Sequence, residues 1–313
     1  MALLPLAGGA LIWFFLWSGH RDRLLADMQR LLPQGTAIAT GGFPYRLEAT
    51  VAPLKIVRQD VALQSRITAR LLSVNRQPWQ PDRQVLNLAD SIASLKLTPL
   101  AGATLAIAAA EVQASLRMEA GRIARLSVQW ELPEVASGLL TGELKASSME
   151  AHFRETPATG EGSSPRLPTQ DQFVVSAVAV RSGAGDPLDM QLDGEITGRA
   201  PIRSFAIWAD GGTVEIRSLL LSDGTGEVAR IVATLVPGPA GDVRIAGTIE
   251  TVCPMSFRAA VAGLPPVSEK RARKAQTLPF SGVLPSGITI PDADSARPAP
   301  PVRGQEPPCP RLR

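Results

Sequence analysis

The sequence predicts a mainly β protein, in which an N-terminal helical region precedes a large antiparallel sheet, curved or sandwich-like, with one short helix near the C-terminus. Three observations predict this class. The first nineteen residues carry no charge, the body alternates apolar and polar residues, and Gly/Asp turn signals separate the alternating stretches. Alternation with a period of two places every second side chain on one face of a strand. The regular alternation of strands with long helices that marks a doubly wound α/β fold does not occur in this pattern.

Residues 1–19 form the most apolar segment of the chain. A helix of that length measures roughly 28 Å at about 1.5 Å per residue, close to the hydrocarbon thickness of a bilayer. We expect a transmembrane anchor here, with the membrane as a partner of the chain. A cleaved signal peptide is the alternative, but bulky Phe15, Leu16 and Trp17 stand where cleavage requires small side chains.

The charges beside this segment leave its orientation open. Arg21, Arg23 and Arg30 follow it, and no basic residue precedes Leu3. Because Lys and Arg are enriched on the cytoplasmic side, a literal count places the body in the cytoplasm. Three arginines are too small a bias to decide the side.

The segment 20–33 is predicted to be a short amphipathic helix that continues from the membrane. Five apolar residues recur at helical spacing, and Pro33 with Gly35 ends the pattern. These five are Leu24, Leu25, Met28, Leu31 and Leu32.

Two β-rich portions follow, at 36–153 and 171–290, and a polar stretch at 154–170 is interpreted as a flexible linker or loop. Alternation is clear around Val112–Met118 and Leu126–Leu132, where every second residue is apolar. This pattern indicates strands with one covered face and one wet face.

The C-terminal part is expected to hold a short helix near 257–275 and then a Pro-rich, disordered tail at 291–313. The two cysteines of the chain, Cys253 and Cys309, are too few for a disulfide framework or a zinc site built on sulfur. A single bridge and two free thiols both remain open.

No motif names a reaction, a cofactor or a metal. His20 lies at the membrane boundary, His152 lies at the edge of the presumed linker, and Asp292 with Asp294 lacks the further oxygen ligands of a calcium loop. The basic cluster at 270–274 is interpreted as a solvated helix face, because no aromatic residue interleaves with it as in a nucleic-acid binder. We therefore expect no catalytic residues, no cofactor, no metal, no nucleic-acid partner and no enzymatic activity.

The segment Gly42–Leu47 leads from the helical region into a strand and resembles the start of the bacterial family DUF2125. Further blocks at 69–88 and 211–249 also resemble that family, so that the likeness extends over most of residues 10–290. The quoted motifs are short and not catalytic. The residues that carry them, with structural roles only, are Gly42, Phe43, Pro44, Tyr45, Arg46 and Trp79.

We expect Gly42 and Pro44 to shape a bend at the strand entry, with Phe43 and Tyr45 covering the edge of a core. The resemblance implies an inner-membrane anchor with the body outside the cytoplasm, in the periplasm, and it implies no activity. The architecture is also similar to that of AsmA-like envelope proteins linked to lipid handling.

Two functions are weighed. The first is a membrane-anchored binding module, whose apolar sheet face holds lipid or another hydrophobic molecule. That face could instead close on itself as a sandwich core. The second function is a structural or protein-interaction module of the envelope, which recruits protein partners through strand edges or the Pro-rich tail.

Overall fold

The computed structural model describes residues 3–59, 63–98, 102–119, 122–138, 142–156, 167–200, 204–238, 241–291 and 306–312. Three helices occur in this part of the chain, α1 (Leu3–Leu31), α2 (Phe205–Ala209) and α3 (Pro254–Val261). The strands are β1 (Ala39–Gly41), β2 (Leu47–Val51), β3 (Leu54–Gln59), β4 (Leu63–Ala69), β5 (Leu71–Gln77), β6 (Gln80–Leu97), β7 (Ala103–Glu119), β8 (Arg122–Glu131), β9 (Glu134–Ser137), β10 (Glu143–Lys145), β11 (Ser148–Glu155), β12 (Thr169–Ser182), β13 (Leu188–Thr197), β14 (Thr213–Asp223), β15 (Gly226–Pro237), β16 (Val243–Thr251), β17 (Gln276–Leu284) and β18 (Gly287–Thr289).

All the described strands belong to one antiparallel sheet, in which the chain runs up and down between neighbours. The long strand β6 pairs with β5 along one half and with β4 along the other. In the same way β7 pairs with both β8 and β9, so that these two are halves of one bent strand. The pairings of β7, β8, β11, β12, β10 and β9 close a ring of six segments. The predicted mainly β, antiparallel class is confirmed.

The two helical segments predicted at 1–19 and 20–33 form one continuous helix, α1, of 29 residues. Gly19 does not interrupt it, since a single glycine costs a helix only about 1 kcal/mol. No helix in the described part of the chain combines the length and the hydropathy that crossing a bilayer requires.

The C-terminal half of α1 packs on the sheet. Trp17, Leu24 and Met28 lie on one helical face and are buried in a cluster with Leu47 and Val51 of β2. The spacing of seven and four residues brings them to the same side of the helix. In contrast, the helix exposes most of its apolar residues between Leu11 and Leu16.

The C-terminal region differs from its prediction in three respects. The helix α3 is shorter than 257–275 and ends at Val261, ahead of Gly263, whose φ is +71°. The basic cluster at 270–274 is not on a helix, and Arg271 is buried with its Nη2 2.5 Å from Asp223 Oδ2. The predicted linker 154–170 lies partly outside the described residues, and its two ends belong to β11 and β12. Asp292 and Asp294 lie outside the described residues.

Part of the predicted tail 291–313 differs from its prediction, because residues 306–312 are attached to the body, whereas 292–305 and 313 lie outside the described residues. Cys309 forms a disulfide with Cys253 beside α3, which resolves the two alternatives for the cysteines. Arg311 donates from its backbone and guanidinium to Asp186, at 2.9 Å in each case. Composition alone predicts disorder here because it does not show the disulfide or the ion pair that hold this segment.

The sheet curves toward the face that carries its apolar side chains. Leu97 and Ala103, at the facing ends of β6 and β7, pack in one cluster with Trp208 of α2 and with side chains of β13–β17. Along a flat sheet, five strand steps separate β7 from β14, roughly 24 Å at about 4.8 Å each. Curvature therefore brings these strands together around the apolar face.

Candidate functional site

The candidate site is an unbroken line of apolar side chains across the sheet, here called the apolar row. One residue from each of twelve successive strands belongs to it, and each is the register partner of the next. Eleven strand steps of about 4.8 Å make it roughly 53 Å long. Its members are Ala49, Val74, Leu86, Ala114, Val128, Ala151, Val175, Leu192, Leu219, Ile231, Ile249 and Leu278.

The two ends of the apolar row are covered. At one end, Ala49, Val74 and Leu86 belong to the cluster under α1. At the other end, Ile249 and Leu278 belong to the cluster under Phe257 of α3, which the disulfide and Leu312 of the tail join. Both helices therefore shield apolar surface that the strands alone would leave in water.

The middle of the apolar row belongs to none of the three packed clusters of the described chain. Five of its members there, from Val128 to Leu219, are half-buried, and Ala114 is buried. These side chains are thus neither fully covered nor fully exposed, whereas a closed core buries its side chains almost completely. The members on β7, β8, β11 and β12 belong to the closed ring of six segments.

Bulky side chains line a second row beside the middle. Trp130, Met149 and Met190 stand half-buried on three strands, and Ala177 between the two methionines is 4% exposed because its neighbours shelter it. Thioether side chains are flexible and adapt to irregular apolar ligands. This second row therefore adds large and flexible apolar side chains to the apolar face.

Gly194 gives the face a local depression. A Cβ at this position would lie 2.4 Å from Cζ of Phe173 and 2.9 Å from the carbonyl oxygen of Glu215. Glycine lets the ring of Phe173 lie close to the backbone of β13, which is the close approach that strand glycines permit.

One end of the apolar face carries a buried carboxyl group. Asp171 is 8% exposed and is the register partner of Glu155. Burial, and to a smaller extent the charge of Glu155, raises the pKa of Asp171 to about 6. Asp171 is thus the group at this site that changes its charge near neutral pH.

The six residues of the family motif lie at one end of the sheet. Gly42 has a φ of +96° and accepts the backbone N–H of Arg46 at 2.9 Å, which makes the expected bend. Phe43 contacts the rings of Phe14 and Trp17, at centroid distances of 5.7 and 5.3 Å.

The remaining motif residues are mostly exposed. The carbonyl of Pro44 accepts the indole N–H of Trp13, and that of Arg46 accepts the indole N–H of Trp17. Tyr45 is 77% exposed and covers no core edge, contrary to expectation, and Trp79 is 58% exposed in the β5–β6 turn.

The opposite face of the sheet is polar and holds His152, which lies within β11 rather than at a linker edge. Its Nδ1 is 2.9 Å from Ser127 Oγ, and its Nε2 is 3.7 Å from Glu150 Oε2. These residues line a concavity of about 260 Å³. A nucleophilic serine also needs hydrogen-bond donors for an oxyanion. The backbone amides of the strands around Ser127 bind instead to neighbouring strands. Ser127, His152 and Glu150 therefore form polar contacts between strands.

A family model described as uncharacterized proteins conserved in bacteria (DUF2125) matches residues 13–278. No curated protein and no solved structure matches the chain. The match begins within α1, includes the motif at 42–46 and ends within β17. It therefore contains all the residues of the apolar row and most of the helix that covers its first end. The chain therefore belongs to the DUF2125 family.

Proposed function

We propose that this protein is a membrane-anchored envelope protein that holds a lipid, or another elongated hydrophobic molecule, on its apolar face. The observation that carries the proposal is the apolar row, an unbroken hydrocarbon surface with covered ends and a partly exposed middle. Soluble proteins rarely leave large contiguous apolar patches in water, and patches of this kind mark binding surfaces. The function is binding without reaction.

Membrane attachment is supported by α1. Its first turns lie in the uncharged segment 1–19, and Leu11, Ile12 and Phe15 are each 60% exposed or more. Burying such side chains in hydrocarbon is worth about 1.5–3 kcal/mol each. The rest of α1 is fixed to the sheet, so the attachment point lies directly beside the first end of the apolar row.

The disulfide supports a body outside the cytoplasm, at the periplasmic side of the inner membrane. Disulfides persist in oxidising compartments and are rare in the cytosol. A C-terminal fusion to a reporter enzyme that is active only outside the cytoplasm tests this part. We expect activity, and an inactive reporter on a stable fusion overturns the localisation.

Native mass spectrometry of the full chain, purified in detergent, tests ligand binding. We expect a fraction of the protein to carry the mass of one lipid. Ala177→Trp fills the apolar face between Met149 and Met190 and should abolish this fraction. Val178→Trp is the matched control, because Val178 is the next residue of β12 and points to the polar face, 49% exposed. Bare protein in all three samples, or the same lipid load in all three, contradicts the proposal.

The alternative of a structural or protein-interaction module stays a prediction. Its proposed contacts were strand edges and the Pro-rich tail. The edge strands β1 and β18 have only three residues each, and short edges limit pairing with other chains, whereas the edge strand β3, which pairs with β4, has six. The binding proposal is preferred because the apolar row extends over twelve strands.

A further inference from the structure

Aromatic side chains project from one end of the sheet. The loop 42–46 enters β2 at Leu47, which pairs with Arg76 at the end of β5, and β5 turns through Trp79 into β6. We call these two loops, 42–46 and 77–80, the aromatic edge. Phe43, Tyr45 and Trp79 are 49%, 77% and 58% exposed on it.

The helix α1 is fastened to the same edge. Trp13 and Trp17 donate their indole N–H groups to backbone carbonyls of the loop 42–46, at 2.9 and 3.0 Å. The chain has five tryptophans and one tyrosine, and Trp13, Trp17, Tyr45 and Trp79 all lie here. Trp and Tyr concentrate where a protein crosses the boundary between water and bilayer.

Four arginines line up across the polar face at this end of the strands, and they are here called the arginine row. Arg83, Arg117, Arg125 and Arg154 are successive register partners on β6, β7, β8 and β11. Partners in an antiparallel pair lie on the same face, so the four guanidinium groups span roughly 14 Å at about 4.8 Å per strand. Ser115, Ser127 and His152 form the adjacent row on the same face.

The charges of the arginine row are only partly compensated. Arg117 pairs with Glu119 at 3.0 Å and with Asp82 at 3.6 Å. For Arg83, Arg125 and Arg154, the described residues provide no ion pair. Like charges directly opposite each other destabilise a sheet, and an anion bound across them removes this repulsion. Guanidinium groups bind phosphate oxygens in a bidentate manner.

We propose that the aromatic edge rests in the interface of the membrane that α1 enters, and that the arginine row binds phosphate groups of anionic lipids there. The inference rests on the proposed membrane attachment. It adds the part of the body that faces the bilayer and the lipid class that it prefers. A lipid surface is favoured over a soluble polyanion because exposed aromatics and the exposed part of α1 lie at the same edge as the arginines.

The test uses the full chain in vesicles of phosphatidylcholine with brominated acyl chains, with and without phosphatidylglycerol. Subtracting the emission of Trp79→Phe isolates the quenching of Trp79 by the bromines. We expect Trp79 to be quenched, and more strongly with phosphatidylglycerol. The variant Arg83→Gln/Arg117→Gln/Arg125→Gln/Arg154→Gln should lose this increase, with docking weakened roughly tenfold or more.

A matched variant, Arg58→Gln/Arg66→Gln/Arg181→Gln/Arg244→Gln, removes the same charge from exposed arginines away from the row and should keep the increase. Vesicle flotation separates the two claims. A chain that does not float contradicts membrane attachment itself. A chain that floats with Trp79 unquenched, or with equal effects of both variants, overturns the present inference. The inference is also overturned if the arginine row binds soluble polyphosphate while Trp79 stays unquenched in vesicles.

Discussion

Asp171 is the residue at the site whose charge responds to pH. Its folded-state pKa of about 6 lies above the ordinary value of 3.8, because burial and Glu155 disfavour the carboxylate. The folded chain thus holds this proton more tightly than the unfolded chain, and stability falls as pH rises from about 4 to about 6. The raised pKa corresponds to a loss of about 2–3 kcal/mol in the free energy of unfolding over this pH range.

We expect Asp171→Asn to remove most of this loss and to make the protein more stable than the parent chain at pH 7. Urea unfolding at a series of pH values measures the effect. An unchanged pH profile in the variant would show that Asp171 is solvated and that its burial is not the cause.

Gly194 is the residue at which backbone space is most limiting on the apolar face. Gly194→Ala places a methyl group 2.4 Å from the ring of Phe173 and should destabilise the fold by about 1–3 kcal/mol. Gly224→Ala is the control, because a Cβ there meets nothing within 4 Å. Denaturant midpoints give both values, and equal midpoints for the two variants would contradict the packing of Phe173 over β13.

At the scale of elements, α1 has a buried face and an exposed face, and two of its leucines distinguish them. Leu24 is 1% exposed in the cluster on β2, whereas Leu31 is 57% exposed. Leu24→Ala should cost about 2–5 kcal/mol through the cavity that it leaves, and Leu31→Ala less than about 0.5 kcal/mol. Both changes replace leucine by alanine in one helix, so comparable unfolding free energies would exclude docking of α1 on the sheet.

The tail segment 306–312 is held mainly by the disulfide, which links cysteines 56 residues apart. Replacing both cysteines by serine should lower stability by about 2–5 kcal/mol. Hydrogen exchange should rise at 306–312 and in α3, which share this cluster. Arg311→Ala removes only an exposed ion pair and should cost less than about 1 kcal/mol. Exchange that does not change after loss of the disulfide would show that other contacts suffice.

The sequence predicted strands well where one face is apolar and the other polar. The alternation around Val112–Met118 and Leu126–Leu132 lies in β7 and β8, and these strands carry Ala114 and Val128 of the apolar row. Alternation reports that one face is apolar but does not report what covers it, so the sequence leaves a curved sheet and a sandwich both open. Composition at 291–313 likewise indicated disorder, because a bridge from Cys309 to Cys253 is not encoded locally.

At the scale of the whole molecule, the register of the strands determines which residues form a row, and this cannot be predicted from the sequence alone. Arg83 and Arg154 are 71 residues apart in the chain, and with Arg117 and Arg125 they become one row only through three successive strand pairings. The apolar row arises in the same way, from twelve strands. The sheet thereby separates two surfaces, an apolar face, on which we propose a hydrophobic ligand, and a polar face that carries arginines toward one end. The proposed tether and both covers of the apolar row are helices or tail segments added to this sheet.

Energy transfer from Trp130 to a dansyl-labelled phospholipid tests the central claim most directly, because Trp130 lies half-buried beside the middle of the apolar row. The full chain in detergent is titrated with the probe, and the emission of Trp130→Phe is subtracted. We predict saturable transfer from Trp130 that an unlabelled phospholipid reverses and that Ala177→Trp abolishes. Transfer that never saturates, or that Trp130→Phe leaves unchanged, would contradict a ligand on the apolar face.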